Sequence, residues 1–232
     1  MISVVLPTFN EVSSGYLKPI LECLAQLKDA EIIVVDGGST DGTLELVNSF
    51  AVSLVCIGNS SRAARLSQGI ASSRGEIILL HHPRSLICAD ALKRLPADVA
   101  GRQNYWGGFT QQFDSSHPLL RFTSWYSNKI RCDRRGILYL DHCIFFDARL
   151  KQEGFSIPDV EIFEDTEISK TLSSFSHPIR LPGVSQTSAI RFQKNGVYRQ
   201  ALMNQVLKLG YALNVPAKIM NRLYEKGLGL NS

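Results

Sequence analysis

The residues best suited to chemistry stand where short apolar runs of the sequence end. The run 32–35 ends in Asp36, and two glycines and Ser39 follow it. A carboxylate in this position can bind hydroxyl groups or the edge of a base, and N–H groups at the start of a following helix can bind polar oxygens. The spacing therefore predicts a nucleotide-binding turn, although an ordinary turn between a strand and a helix has a similar composition.

Polar side chains follow two further apolar runs in the same way, after residues 3–7 and after residues 76–80. In an open α/β sheet, ligands bind outside the carboxyl ends of the strands. The sequence therefore predicts one site along a single edge of a sheet. The polar residues concerned are Thr8, Asn10, Glu11, His81, His82 and Arg84.

Strand-like and helix-like patterns alternate over the first third of the chain. Residues 3–6, 31–36, 52–57 and 76–81 predict strands, and helical patterns separate them. This alternation is typical of βαβ units, so we expect an α/β fold with a mainly parallel sheet flanked by helices. The first strand is followed by neither a GxGxxG loop nor a P-loop, which argues against a dinucleotide-binding Rossmann unit and a P-loop protein.

The second half of the sequence is less regular. A glycine pair in the predicted strand 105–110 marks a place where a ligand or a neighbouring backbone must approach closely. The further predicted elements are a helix over 117–131, a strand over 137–146 that Asp141 and His142 interrupt, a helix ending at 172, a strand over 179–181, and helices over 195–213 and 215–224.

Length and composition indicate one soluble α/β domain, or one such domain with an appended segment. The 232 residues are 44% hydrophobic and 20% charged, which suffices for a substantial core. No apolar run approaches the roughly 18 residues that cross a bilayer, and the first residues lack the basic region of a signal peptide. The five cysteines contain no CxxC pair, so we expect reduced, mostly buried thiols in a cytoplasmic protein.

The carboxyl-terminal segment is basic and amphipathic, with Glu225 as its only acid after residue 190. Such a segment can lie on an anionic membrane, bind a phosphorylated substrate, or dock on the core with its lysines outward. The first alternative would place the protein at the inner face of the membrane, and none involves a nucleic acid. The basic residues are Arg191, Lys194, Arg199, Lys208, Lys218, Arg222 and Lys226.

Two motifs together carry a specific resemblance. Residues 5–11 read VLPTFNE and residues 34–43 read VVDGGSTDGT, and the pair resembles the opening of the family 2 glycosyltransferases, which have the GT-A fold. The resemblance is greatest to compact bacterial members and implies a catalytic domain over 1–190 with a helical extension over 191–232. The later blocks that fit are Arg62, Arg65, Gly69, residues 106–109, residues 139–142 and Glu164–Asp165.

By this resemblance the chain transfers a sugar, with inversion, from a nucleotide diphosphate, expected to be UDP, to a hydroxyl of a glycan or lipid-linked acceptor. Asp165 is implied as the general base, with Glu164 beside it, although such an acidic pair can also cap a helix. Gly108 and Asp141 are implied on the acceptor side, and a hydrogen-bonded buried carboxylate is the alternative for Asp141. The residues implied on the nucleotide side are Pro7, Thr8, Glu11, Asp36, Ser39, Arg62, Arg65 and Arg84.

One departure from the family concerns the metal. The family carries an aspartate-containing metal motif after the fourth strand, whereas this chain has Pro83 at or beside that position. Proline cannot ligate the Mg²⁺ or Mn²⁺ that usually neutralises the diphosphate. Three accounts stay open: Arg84 takes over the role of the metal, His81 or His82 binds a transition ion, or the chain binds a nucleotide sugar or a partner protein without turnover.

Overall fold

Eight strands form one sheet in the computed structural model, which describes residues 1–226. Residues 227–232, the end of the predicted extension, lie outside the described residues. The strands are β1 Ile2–Thr8, β2 Ala30–Asp36, β3 Ser53–Cys56, β4 Ile77–Leu80, β5 Ser85–Ile87, β6 Trp106–Phe113, β7 Ile144–Asp147 and β8 Ile179–Thr187. The helices are α1 Leu17–Leu24, α2 Thr43–Asn48, α3 Arg62–Ser72, α4 Ala89–Asp98, α5 Pro118–Tyr126, α6 Asp133–Arg135, α7 Glu164–Ser173, α8 Ile190–Asn195, α9 Val197–Ala212 and α10 Ala217–Lys226.

The sheet has the strand order β3-β2-β1-β4-β7-β6-β8-β5. β1 pairs in parallel with β2 and β4, and β2 with β3, as the sequence predicts. β7 is antiparallel to both β4 and β6, while β8 is parallel to β6 and antiparallel to β5. The α/β fold with a mainly parallel sheet is confirmed, since four of the seven strand pairings are parallel and the antiparallel ones are those of β4–β7, β6–β7 and β5–β8. Because β6 again runs in the direction of β1, the carboxyl ends of β1, β2, β4 and β6 share one edge.

Side chains of β1 alternate between two cores, one on each face of the sheet. Val4 and Leu6 pack with α1 and α4, whereas Val5 packs with α3 and α7. α3 lies directly on β1 because Gly69 has no side chain, and a Cβ there would be 2.2 Å from Val5 Cγ1. Ser61 caps the start of α3, since its hydroxyl accepts a hydrogen bond at 3.0 Å from the amide three residues later.

The predicted strand over 137–146 is wrong for most of its length. Only β7 forms, and Leu140–His142 is a 3₁₀-helix instead. Cys143 has a φ of 51°, a left-handed conformation that interrupts an extended chain. The Ser185 hydroxyl donates a hydrogen bond to the Asp141 carbonyl at 2.7 Å, which ties this turn to β8.

The predicted helix over 117–131 is present, but its type changes along the chain from an α-helix to a π-helix. α5 continues into a π-helix, Ser127–Cys132, and then into α6. π-helical segments are rare in proteins, and those that occur often lie at functional sites. The sequence did not predict β5 or α4, and β8 extends six residues past the predicted strand 179–181 because it pairs with both β6 and β5.

The carboxyl-terminal segment forms α8, α9 and α10; α9 and α10 agree with the predicted terminal helices, whereas α8 was not predicted. Met203 and Leu207 of α9 pack against the residues that lead into α7. Tyr211 secures this contact, because its hydroxyl donates to Glu167 of α7 and accepts a hydrogen bond from Lys170. α9 is therefore held over the start of α7.

Two expectations about the environment of the chain can be compared with the structure. No helix within residues 1–226 is both long enough and apolar enough to cross a bilayer. All five cysteines are free thiols, as expected, but Cys56 and Cys88 are exposed and not buried.

Candidate active site

A hydrogen-bond network surrounds Asp36 at the carboxyl ends of β1 and β2. Its Oδ2 accepts from the hydroxyl groups of Thr8 at 2.8 Å and Ser39 at 2.6 Å. Its Oδ1 accepts from the amides of Gly38 at 2.8 Å and Ser39 at 2.7 Å. Burial alone would raise the pKa of Asp36, but these hydrogen bonds outweigh it and lower the pKa below its usual value. Asp36 is therefore ionised, and its hydrogen bonds shape the turn after β2. Pro7 is buried in β1, one residue before Thr8.

The loop after β1 is bound to the loop after β2. The Asn10 amide donates to the Ser39 hydroxyl at 2.8 Å, and the Asn10 side-chain oxygen accepts from the Thr40 amide at 2.8 Å. Asn10 has a φ of 52°, which asparagine adopts more readily than most residues. The Glu11 amide donates to the Thr43 hydroxyl at 2.9 Å. The two strand ends, residues 8–11 and 36–43, thus form one platform, which we call the β1–β2 platform.

Two arginines of α3 reach this platform and the start of α7. Arg65 is buried, and its Nη1 donates to the Thr8 carbonyl at 2.8 Å. Its side chain lies against Gly37, where a Cβ would be 2.5 Å from Nη1, so this turn has no room for a side chain. Arg62 pairs with the buried carboxylate of Glu164. α3 therefore connects the platform, through Arg65, to the acidic pair, through Arg62.

The acidic pair Glu164–Asp165 forms the first turn of α7. Asp165 does not cap the helix, because the residue before Glu164 holds the cap position. Its Oδ1 accepts from the Thr166 amide at 2.8 Å, and its Oδ2 from the Leu140 amide at 3.4 Å. Burial, and after it the charge of Glu164, raises the pKa of Asp165 to about 7 against the opposing charge of Arg62. A carboxylate with such a pKa can accept a proton in neutral solution, as a general base must.

The segment after β4 presents Arg84 to Glu11. Arg84 Nε donates to Glu11 Oε2 at 2.7 Å, and burial raises the pKa of Glu11 in spite of this ion pair. Burial lowers the pKa of His81 to about 4, and its Nδ1 lies 3.0 Å from the His82 carbonyl oxygen. His82 Nδ1 accepts from the Arg84 amide at 3.2 Å. Both imidazoles are therefore uncharged at neutral pH and engaged by nearby groups.

The donor set around Pro83 does not fit a divalent cation. Burial, and then the charges of Arg62 and Arg84, lowers the pKa of His82, and Arg191 acts in the same direction. Within residues 1–226, no three His, Cys, Asp or Glu side chains are grouped so as to hold a metal ion. Mg²⁺ and Mn²⁺ prefer carboxylate oxygens, whereas this segment is surrounded by guanidinium groups.

Known proteins share both the opening sequence and the fold of this chain. Residues 3–83 match the sequence model of glycosyl transferase family 2. The family 2 resemblance is confirmed. By fold, the chain is similar to TarS 1–349 from S. aureus in complex with UDP, with a TM-score of 0.66 and 19% identity over 81% of this chain and 60% of that chain.

Two further solved structures of glycosyltransferases have the same fold. Mannosyltransferase PcManGT from Pyrobaculum calidifontis, in complex with GDP-Man and Mn²⁺, gives a TM-score of 0.59 and 19% identity over 79% of this chain and 56% of that chain. Glucosyl-3-phosphoglycerate synthase from Mycobacterium tuberculosis, in complex with Mg²⁺ and UDP, gives 0.55 and 16% over 81% of this chain and 71% of that chain. The fold is thus the GT-A fold, and this chain spans 60% of the TarS fragment. No curated protein sequence matches it.

The two residues predicted on the acceptor side, Gly108 and Asp141, lie in different settings. Gly108 is buried beneath the 3₁₀ turn, where a Cβ would be 2.6 Å from Leu138 Cδ2 and 2.9 Å from His142 Cβ. It therefore packs the turn and does not itself line the cleft. Asp141 is partly exposed, yet its Oδ1 is buried and has no hydrogen-bond partner within the described part of the chain. The alternative of a hydrogen-bonded carboxylate inside a strand is therefore wrong.

Two basic residues near Asp165 were not predicted as site residues. Arg131 lies in the π-helix and is 9% exposed, and its guanidinium carbon lies 3.6 Å from the centre of the Tyr139 ring. Lys208 comes from α9, and its side chain is partly buried near Asp141 and Asp165. A single basic residue within an apolar helical pattern is the only sequence signal of either, and solvated lysines and arginines give the same signal.

Proposed function

We propose that the chain is an inverting glycosyltransferase that moves a sugar from a nucleotide-diphosphate donor to an acceptor hydroxyl. The observation that carries this proposal is the position of Asp165. Burial, and after it the charge of Glu164, raises the pKa of Asp165 to about 7. The charge of Arg62 lowers this pKa and the charge of Asp141 raises it, so Asp165 stands close to both residues. A carboxylate whose pKa is shifted in this way is a candidate for the catalytic base.

The donor nucleoside would lie against Thr8, Asp36 and Ser39. The Asp36 carboxylate already accepts four hydrogen bonds, which fills its acceptor positions. To accept a hydrogen bond from a base, it must therefore lose one donor, and the Ser39 hydroxyl can turn away without moving the backbone. TarS and glucosyl-3-phosphoglycerate synthase are both solved with UDP, which supports a UDP-linked donor here.

The proposed reaction transfers one proton and exchanges one bond at the anomeric carbon of the sugar. Asp165 takes the proton of the acceptor hydroxyl while the acceptor oxygen forms a bond to the anomeric carbon. The bond between that carbon and the diphosphate oxygen breaks, and the nucleoside diphosphate leaves with the electron pair. Attack from the side opposite to the leaving group inverts the configuration. A positioned general base typically contributes about 10²–10⁴-fold to such a step.

Arginines would neutralise the leaving diphosphate in place of a metal ion. Glu11 engages only Nε and Nη2 of Arg84, at 2.7 and 3.5 Å. A guanidinium carries five N–H donors in a planar fork, so Arg84 keeps donors for phosphate oxygens. Arg62 and Arg65 add positive charge on the same side of the cleft. Both arginines interact electrostatically with Glu11.

The rival function is binding of a nucleotide sugar without turnover, which Pro83 favours. The experiment that separates the two measures UDP release from a panel of UDP-sugars, and UDP binding by calorimetry, for the wild type and D165N. An enzyme releases UDP, loses about 10²–10⁴-fold of that rate in D165N, and keeps its UDP affinity. Intact UDP binding with no release, or with equal release from both proteins, would establish the rival.

A lipid-linked acceptor is favoured by the outward face of α9. Exposed apolar side chains follow helical spacing there, beside the basic residues of the same segment. Such a face can lie on an anionic membrane surface, and we place the protein at the inner, cytoplasmic face. This α9 stripe comprises Tyr198, Leu202, Val206, Leu209 and Leu213.

Vesicle flotation tests the membrane contact. Anionic vesicles should carry the wild-type chain to the top of the gradient, whereas L202S/L209S should stay at the bottom. V184S is the control, because Val184 is an exposed apolar residue of β8 outside the stripe. Equal flotation of all three proteins would remove the α9 stripe from the proposal.

A further inference from the structure

Arg131 is a buried cation with unused hydrogen-bond donors. Its guanidinium stacks on Tyr139, and its Nη2 donates to the Ser127 hydroxyl. Its Nε and Nη1 are buried and have no hydrogen-bond partner among residues 1–226. Buried polar atoms are nearly always satisfied in folded proteins, so two open donors on one guanidinium point to a ligand or ordered water.

Lys208 brings a second cation to the same place. It lies on α9 one turn before Tyr211, whose hydrogen bonds to α7 hold the helix down. Burial, and after it the charge of Arg131, lowers the pKa of Lys208 to about 8. Among the residues that the structure describes, neither cation forms an ion pair with a carboxylate.

Two acids complete the surroundings of Lys208. The charges of Asp141 and Asp165 both act on it, and Asp141 Oδ1 is a buried acceptor that no described residue satisfies. The two carboxylates can accept hydrogen bonds from a hydroxyl group, and the two cations can bind an anion. Arg131, Lys208, Asp141 and Asp165 therefore surround a position for a molecule that carries both groups.

This position is distinct from the arginines of the nucleotide side. The charge that acts most strongly on Lys208 is that of Arg131, whereas the guanidinium that acts on Asp165 is that of Arg62. Asp165 thus lies between two cationic groups, one on each side of the predicted base. A donor diphosphate at Arg62 and Arg84 leaves the second group for the acceptor.

We propose that Arg131 and Lys208 bind the phosphate of a phosphorylated acceptor, whose hydroxyl is presented to Asp165. The inference rests on the proposed glycosyl transfer, because it names the acceptor class of that reaction. A phosphate monoester carries about −1.5 to −2 charges near neutral pH, which matches two cations, and guanidinium groups bind phosphate oxygens through two parallel hydrogen bonds. A soluble phosphate monoester and a lipid phosphate share this chemistry.

Calorimetry on the full chain, saturated with UDP, tests the proposal. The probe is glycerol 3-phosphate, and glycerol is the uncharged control. We expect glycerol 3-phosphate to bind and glycerol not to bind. K208Q should weaken binding by about tenfold or more, because a hydrogen bond to a charged group is lost. K194Q is the matched control, since it removes the same charge from an exposed lysine of α8 in the same segment and should bind as the wild type does.

A second arm separates the two sources of phosphate. Vesicles of phosphatidylcholine with and without phosphatidic acid replace glycerol 3-phosphate, again with wild type, K208Q and K194Q. Lys208-dependent binding in the vesicle arm alone supports a lipid phosphate, and in the soluble arm a free phosphate monoester. Equal binding by K208Q and K194Q in both arms overturns the proposal.

Two further outcomes keep this proposal separate from the proposed function. If R84Q abolishes glycerol 3-phosphate binding and K208Q does not, the anion sits on the nucleotide side and the acceptor proposal is wrong. If UDP fails to bind at all, the proposed transfer is wrong, while the titrations of K208Q and K194Q still report on the phosphate site. R131K offers a second test of the site, because it keeps the charge and removes the planar fork.

Discussion

The pH dependence of the chemical step should report Asp165 directly. Burial, and after it the charge of Glu164, raises the pKa of Asp165 to about 7, and a general base works only when it is ionised. With that pKa, about one tenth of the protein is active at pH 6 and about one hundredth at pH 5, with a plateau above pH 8. The rate should therefore fall about tenfold per pH unit on the acid side.

Two substitutions should move this inflection in opposite directions. Glu164 raises the pKa of Asp165, so E164Q should shift the inflection to lower pH and increase the relative rate at pH 6. Arg62 lowers that pKa, so R62Q should shift the inflection to higher pH. E161Q serves as control, because Glu161 is an exposed acid that precedes the pair and should leave the profile unchanged.

Donor hydrolysis provides the assay, because it needs no identified acceptor. Initial rates of UDP release at saturating UDP-sugar, between pH 5 and 9, give kcat profiles for the wild type and the variants. D165N should lower the plateau by about 10²–10⁴-fold. A profile without an inflection near pH 7, or inflections that coincide in wild type, E164Q and R62Q, would refute the role assigned to Asp165.

Three other outcomes can be measured on the same proteins. G69A should destabilise the fold by about 1–3 kcal/mol in urea unfolding, because the new methyl group overlaps Val5, whereas Q68A on the exposed face should change stability by less than about 0.5 kcal/mol. The folded-state pKa of Asp165 is raised, so ionisation of this carboxylate costs stability as pH rises from about 4 to about 7. D165N should therefore have the higher Tm at pH 8, by at least about 2–4 °C, and lose this advantage near pH 4. UDP should bind equally with and without EDTA, and R84A should weaken it about tenfold or more; binding that needs Mn²⁺ and survives R84A would contradict the arginine account.

The β1–β2 platform was predictable because its signals are local. Asp36 and Thr8 directly follow apolar runs, and parallel strands carry their carboxyl ends to one edge. The cap at Ser61 follows from residue type and position alone. Even here, the sequence does not show that the acceptor positions of Asp36 are filled by groups of the protein itself. Two of the donors are backbone amides that the turn positions.

The surroundings of Asp141 and Lys208 were not predictable to the same extent, because contacts distant in sequence decide them. The segment before β7 has the composition of a strand, but the left-handed Cys143 and the hydrogen bond from Ser185 fold it into a turn. Lys208 looks like any lysine of a basic tail. Its inward position depends on α9 docking through Tyr211 on Glu167, more than forty residues away.

The π-helical stretch Ser127–Cys132 bears on how this protein tolerates changes in length. Its hydrogen bonds reach one residue further along the chain than those of an α-helix, so it holds a residue that an uninterrupted α-helix would not need. Deletion of the exposed Lys129 would allow an uninterrupted α-helix in this stretch. The deletion would also rotate Arg131 away from Tyr139. A single-codon deletion in this stretch would thus leave the β1–β2 platform unchanged and alter the surroundings of Lys208, which is a short evolutionary route to a changed binding site.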